Sequence, residues 1–151
     1  MQVYVASSWR NPYQADVVAA LRAAGHGVYD FKEPTPGGAG FSWSAIDPGW
    51  KQWTPQEYVQ ALHHPIAQAG YENDMTGLDN AQLCLFLGPA GPSAMWELGY
   101  AKGSGKLTAV LLLGMREPDL MIAGCGPFFF DVSDLLAWLE EKDRRIASYL
   151  R

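Results

Sequence analysis

The sequence predicts an α/β fold: a single domain over residues 1–151, with an open, mostly parallel five-stranded sheet and helices on both faces. Short β-rich runs alternate with segments of helical periodicity in the order β-α-β-α-β-α-β-β-α, the pattern that crossover connections produce. Residues 107–113 form an uninterrupted apolar run, suited to a central strand covered on both faces. The chain's 151 residues, 48% hydrophobic and 18% charged, are enough for one core, and no internal repeat divides them. In such sheets, ligands bind beyond the carboxyl ends of the strands, where the strand order reverses.

Residues 2–6 are a β-rich run (Val3, Tyr4, Val5) that stops at Ser7-Ser8. A helix is expected over 13–24, because Val17, Val18 and Leu21 repeat at helical spacing and Gly25 supplies a stop. Residues 28–31 read as a second short strand. The stretch 32–55 holds four prolines and four glycines, too broken for regular structure, and its length makes it a candidate lid. Thr54 is placed to cap a helix with Pro55 at its first position. That helix is expected to reach about residue 68, interrupted at Pro65, with a second piece over 71–80. A third strand, 82–87, ends in Gly88-Pro89-Ala90-Gly91-Pro92, and a helix covers 93–103. After the apolar run, a strand at 128–130 precedes a helix over 133–149 that turns Leu135, Leu136 and Leu139 inward.

The formal charge of −5 leaves no basic surface for a polymeric nucleic acid, although one or two basic residues could hold a small anion. Cys84 and Cys125 lack CxxC spacing and read as buried thiols in a reducing compartment. The longest apolar run is too short to span a bilayer, and the N-terminus lacks a charged segment followed by an apolar one. A soluble, cytoplasmic protein with no membrane partner is expected. Six tryptophans, three of them (Trp43, Trp50, Trp53) within eleven positions, call for an explanation.

Chemistry concentrates in 91–101. A Gly/Pro-rich turn through Gly91 delivers a helix whose first turn contains Ser93, with Glu97 one turn later on the same face. The exposed N–H groups of that turn suit an anion. The alternative makes Ser93 an N-cap and Glu97 an ordinary first-turn acid. Asp74 lies on the helix before the third strand and is a second carboxylate for the same strand-end cleft; two carboxylates there can divide labour. The alternative for Asp74 is a solvated helix residue. Ser7, Ser8, Trp9, Arg10 and Asn11 end the first strand, where a guanidinium fork suits phosphate. His63 and His64 are adjacent and point apart, and no third ligand stands at metal spacing, so no metal is expected. GxGxxG at a first βα turn, GxxxxGK[ST] and GxSxG are all missing, which excludes dinucleotide, P-loop and nucleophile-elbow readings.

Val3-Tyr4-Val5-Ala6-Ser7-Ser8, Tyr71-Glu72-Asn73-Asp74 with Gly77-Leu78 and Asn80-Ala81, and Ser93-Ala94 followed by Glu97-Leu98-Gly99-Tyr100-Ala101 together resemble the nucleoside 2-deoxyribosyltransferase-like superfamily. That superfamily includes the deoxyribosyltransferases and the nucleoside 5′-monophosphate N-glycosidases, and the resemblance spans about the first 113 residues in order. It implies a flavodoxin-like (Rossmann-like) sheet and cleavage of the bond between a nucleobase and C1′, without a cofactor. By the same resemblance Glu97 matches the nucleophile that forms a covalent glycosyl-enzyme, Asp74 the aspartate that protonates or orients the base, and Tyr4 the strand-one tyrosine near the nucleophile. A second base takes the sugar in a transferase and water takes it in a hydrolase. Deoxyribosyltransferases usually carry an aspartate in the loop before the nucleophile, where this chain has Gly91-Pro92-Ser93. Ser8-Trp9-Arg10 resembles the Ser-x-Arg that holds a 5′-phosphate in the nucleotide hydrolases.

The combined expectation is a nucleoside or nucleoside monophosphate as the small-molecule partner. Glu97, Asp74 and Tyr4 would carry the chemistry. Ser7, Ser8, Arg10, Gly91 and Ser93 would hold sugar or phosphate, and Trp9, Trp43, Trp50 or Trp53 would stack on the base. A homodimer or higher homo-oligomer is expected from the resemblance. A non-catalytic nucleotide-binding or sensing module is the alternative.

Overall fold

The computed structural model describes residues 1–149. Its elements are β1 (Gln2–Ala6), α1 (Gln14–Ala23), β2 (Gly27–Tyr29), α2 (Pro55–Ala61), α3 (Pro65–Asn80), β3 (Leu83–Gly88), α4 (Pro92–Gly103), β4 (Leu107–Leu112), β5 (Phe128–Phe129) and α5 (Val132–Tyr149). All five strands are parallel, in the order β2-β1-β3-β4-β5. The chain therefore leaves β1 toward one edge, returns, and resumes on the other side at β3. The loops after β1 and β3 part at that reversal, which is where a flavodoxin-like sheet opens a crevice.

Strand parity sorts the core into two layers. Val3 and Val5 of β1, with Leu83, Leu85 and Leu87 of β3, pack against Val17, Val18 and Leu21 of α1 and Leu135 and Leu139 of α5. The intervening residues, Tyr4, Ala6, Cys84 and Phe86, face Leu78 of α3 and Ala94, Leu98 and Ala101 of α4. Every residue of β3 is buried, as its place inside the sheet requires. The parity that puts Val3 and Val5 against α1 thus aims Tyr4 at the two helices that carry Asp74 and Glu97. Tyr29 is in register with Tyr4 on the neighbouring strand and shares its face.

The break between α2 and α3 differs from the sequence expectation in an informative way. Pro65 does not interrupt a helix but starts one: His64 caps it, its Nδ1 accepting from Ile66 N at 3.2 Å, and α3 runs unbroken to Asn80. Proline lacks the N–H that a helix interior needs but no first-turn residue uses, so α2 ends at Ala61 and the chain restarts. At Thr54 the expected cap is a full capping box with Glu57. The 32–55 stretch folds as loops with two short 3₁₀ turns, Trp43–Ala45 and Trp50–Gln52. It docks on α3 at Gly70, where a Cβ would lie 3.0 Å from the Cβ of Phe41. No helix among the described residues is long and apolar enough to cross a membrane.

Candidate active site

Tyr4, fully buried at the middle of β1, donates its hydroxyl proton to Glu97 Oε1 at 2.9 Å. Tyr29 donates to Asp74 Oδ1 at 2.8 Å. The two phenol rings stack with centroids 5.2 Å apart and planes 7° from parallel. Two adjacent strands therefore present two tyrosines side by side, and each holds one carboxylate from a different helix. Asp74 reaches this place because Tyr71, Asp74, Met75 and Leu78 share one stripe of α3, and Glu97 because Ala94, Glu97, Leu98 and Ala101 share one of α4.

Both carboxylates open on a cavity of about 460 Å³ lined by Tyr4, Tyr71, Asp74, Met75, Leu78, Pro92, Ser93, Trp96 and Glu97. Its size is that of a small-molecule pocket. Burial pushes the Glu97 carboxyl up to about 7; the Tyr4 hydrogen bond opposes this and the charge of Asp74 adds to it. Burial also raises Asp74, with the Tyr29 hydrogen bond pulling the other way. The phenols of Tyr4 and Tyr29 are pushed far above their ordinary range, Tyr4 by burial and then Glu97, Tyr29 by burial and then Asp74, so both stay protonated as donors. Beneath them, burial and then the charge of Glu97 raise the Cys84 thiol, which is inert. The charge of Asp74 makes Glu97 harder to ionise, so the two carboxyls do not titrate independently.

Four of the expected site residues, Tyr4, Asp74, Ser93 and Glu97, meet in this cavity. Ser93 is the second residue of α4 and not its cap, which is Gly91. Gly91 lines a neighbouring cavity of about 550 Å³ that shares Pro92 with the first and carries Arg116 at its wall. Ser7, Ser8, Trp9 and Arg10 stand on the loop after β1. That loop is pinned to the far side of the crevice: Ser7 Oγ donates to the Leu87 carbonyl at 2.9 Å, and Asn11 Nδ2 donates to the Leu87 and Pro89 carbonyls at 3.0 and 3.1 Å. Arg10 is exposed and forms no ion pair among the described residues.

Trp43, Trp50 and Trp53 do not line the Glu97 cavity. Trp43 meets Phe41, Trp53 and Tyr58 edge-on at 4.7, 5.6 and 5.8 Å, and Trp53 Nε1 donates to Asp47 Oδ2 at 2.6 Å. Trp50 lies beside Lys51, and Trp9 packs edge-on against Phe31. The tryptophan in the cavity wall is Trp96, 53% exposed and stacked on Tyr100. Sequence reasoning passed over Tyr29, and it placed Asn11 only as a member of the loop after β1. The signal for Tyr29 was strand parity, once β1 and β2 are neighbours. Among the described residues no group of three or more His, Cys, Asp or Glu side chains is placed to hold a metal ion.

No family model matches the sequence, and a search of curated proteins finds no relative. Among solved structures, the chain is similar to a 2-deoxyribosyltransferase from Bacillus psychrosaccharolyticus, with a TM-score of 0.65 over 90% of each chain at 19% identity. At that identity the likeness is one of fold alone.

Proposed function

We propose that this protein cleaves the N-glycosidic bond of a nucleoside or nucleoside 5′-monophosphate. The observation that carries the reading is the pair of carboxylates, Glu97 and Asp74, each held by its own tyrosine at the wall of one cavity. Such a pair suits glycosyl chemistry, which needs one ionised carboxylate and one that attends a proton. The fold shared with a 2-deoxyribosyltransferase supports the choice of substrate class.

In this mechanism a Glu97 carboxylate oxygen attacks C1′ as the C1′–N bond breaks, and the base leaves with the bonding pair. Asp74, as the carboxylic acid, donates a proton to the departing base. Water, or a second base in a transferase, then attacks C1′; it loses a proton to Asp74 and frees Glu97. Tyr4 donates to the non-attacking oxygen and fixes the direction of attack. Trp96 and Tyr71 offer flat walls for the base. The hydroxyl of Ser93 and the α4 N-terminus face the sugar side, and Ser8 and Arg10 would close on a 5′-phosphate.

Incubation with a panel of nucleosides and their 5′-monophosphates, followed by chromatography for free base, tests this directly. Release is expected, with Glu97→Ala reducing it by about 10³-fold or more, on the scale of losing a catalytic nucleophile. Undiminished release in Glu97→Ala would sink the mechanism. Addition of an acceptor base separates transfer from hydrolysis.

A further inference from the structure

Asp74 has a single hydrogen-bond donor among the described residues, the Tyr29 hydroxyl. Tyr29 is not part of the cavity wall. It stands behind Asp74 and lines a separate hollow with Asn73, Thr76, Gly77 and Asn80. The titratable groups around the carboxyl come from four elements: Tyr4 of β1, Tyr29 of β2, Tyr71 of α3 and Glu97 of α4. None of these groups forms an ion pair with a lysine, arginine or histidine among the described residues. A half-buried carboxyl in such company has no cation to fix it, so its direction depends on the one phenol it meets.

The ring that carries this phenol is seated by two contacts. One face stacks on Tyr4, which in turn holds Glu97. The other constraint is Gly77, three residues along α3 from Asp74, where an added Cβ would lie 2.5 Å from Tyr29 Cδ2 and 2.6 Å from Cγ. Real Cβ contacts are never that close, and the atoms it would strike belong to the ring's rigid body. Glycine at this position lets β2 and α3 approach closely enough for the hydroxyl to reach Asp74.

We propose that Tyr29 is a positioning residue that turns Asp74 so that its second oxygen meets the departing base, and that Gly77 supplies the clearance that seats Tyr29. The inference rests on the N-glycosidic reading above. It places the orienting device on the edge strand, outside the cavity and out of reach of substrate.

The test compares wild type, Tyr29→Phe, Asp74→Asn and the double variant for kcat, KM and pH dependence of base release, with a carboxyl-carbon NMR titration of Asp74. Tyr29→Phe removes one oxygen and keeps the ring stack. Its kcat should fall about tenfold with KM changed less than about twofold, because the lost bond orients a reacting group and does not bind substrate. The Asp74 titration should move up by about one pH unit, since the phenol bonds the ionised carboxylate better than the neutral acid. In the Asp74→Asn background Tyr29→Phe should cost little more, the mark of a residue acting through another. Gly77→Ala should reproduce the Tyr29→Phe profile if it folds; Tyr29→Phe decides the matter either way. Equal losses in the two backgrounds, or an unmoved Asp74 titration, overturn the inference. If wild type releases no base from any substrate while the NMR shift is present, the N-glycosidic reading falls and the Tyr29–Asp74 coupling stands.

Discussion

Two regions of this chain concentrate aromatic rings, and they use them in opposite ways. At the sheet's reversal, Tyr4 and Tyr29 project from strands and spend their hydroxyls on Glu97 and Asp74. In the 32–55 loop, Trp43 packs edge-on against Trp53, Phe41 and Tyr58, and the Trp53 indole bonds the loop's own Asp47. The first arrangement places ionisable groups in a partly dry cavity at a cost in stability. The second supplies a small core to a segment with little regular structure, each edge-on contact contributing about 0.5–1.5 kcal/mol. Rings fixed on strands can position chemistry; rings on short 3₁₀ turns chiefly hold their own segment together.

The largest expected effect comes from relieving the cost at the first region. Glu97 has a folded pKa of about 7 against an ordinary 4.5, so the folded protein binds this proton more tightly than the unfolded chain. Its stabilising contribution is full below about pH 4.5 and is lost as pH rises through about 7, above which the ionised group costs the fold on the order of 3 kcal/mol. Glu97→Gln keeps an acceptor for Tyr4 and carries no charge. Urea denaturation should find it no more stable than wild type at pH 4.5 and more stable by about 3 kcal/mol at pH 8, while base release is abolished. Equal stability of the two proteins at pH 8 would show that Glu97 is not desolvated as the cavity implies.

The next effect concerns the framework that holds the first region open. Asn11 is only 3% exposed, and its amide ties the loop after β1 to the Leu87 and Pro89 carbonyls, while its Oδ1 accepts from Tyr13 N at 2.9 Å. Asn11→Ala should cost about 2 kcal/mol in denaturant unfolding, the scale of a buried polar cluster losing its centre. A loss below about 0.5 kcal/mol would mean that the two sides of the crevice are joined by something else.

The uneven legibility of these parts in the sequence has a physical basis. Fold class, strand count and most element positions follow from local periodicity, which sheet and helix geometry impose residue by residue. Glu97 and Asp74 were visible as carboxylates on helices that bound one crevice, because a doubly wound sheet places those helices at the strand ends. Tyr29 was not, since its role depends on the Tyr4–Tyr29 register across two strands and on the clearance at Gly77. The tryptophans of the loop were counted correctly, but where they point depends on how Phe41 docks against Gly70, a contact between segments some thirty residues apart. The break at Pro65 is legible but the extents of the helices beside it are not, because proline signals a helix boundary without saying on which side the helix lies.

A smaller effect separates substrate classes at the crevice. Arg10 is exposed on the pinned loop, without an ion pair among the described residues. If it closes on a 5′-phosphate, Arg10→Ala should raise KM for nucleoside monophosphates about tenfold and leave KM for nucleosides unchanged, the scale of one charge-assisted fork. A parallel rise for both classes would assign Arg10 to the sugar or to the loop's own structure.

The smallest signal bears most directly on whether the two aromatic regions act separately. Ligand in the Glu97 cavity lies against Trp96, one of six indoles, so quenching of the total emission should be modest and should vanish in Trp96→Phe. Trp43 and Trp53 are held in their own cluster, and reaching the ligand would mean breaking their edge-on contacts and the Trp53–Asp47 bond together. Quenching that persists in Trp96→Phe and is lost in Trp43→Phe or Trp53→Phe would show that this cost is met. The loop would then swing over the cavity as a lid, and the aromatic excess would serve substrate as well as structure.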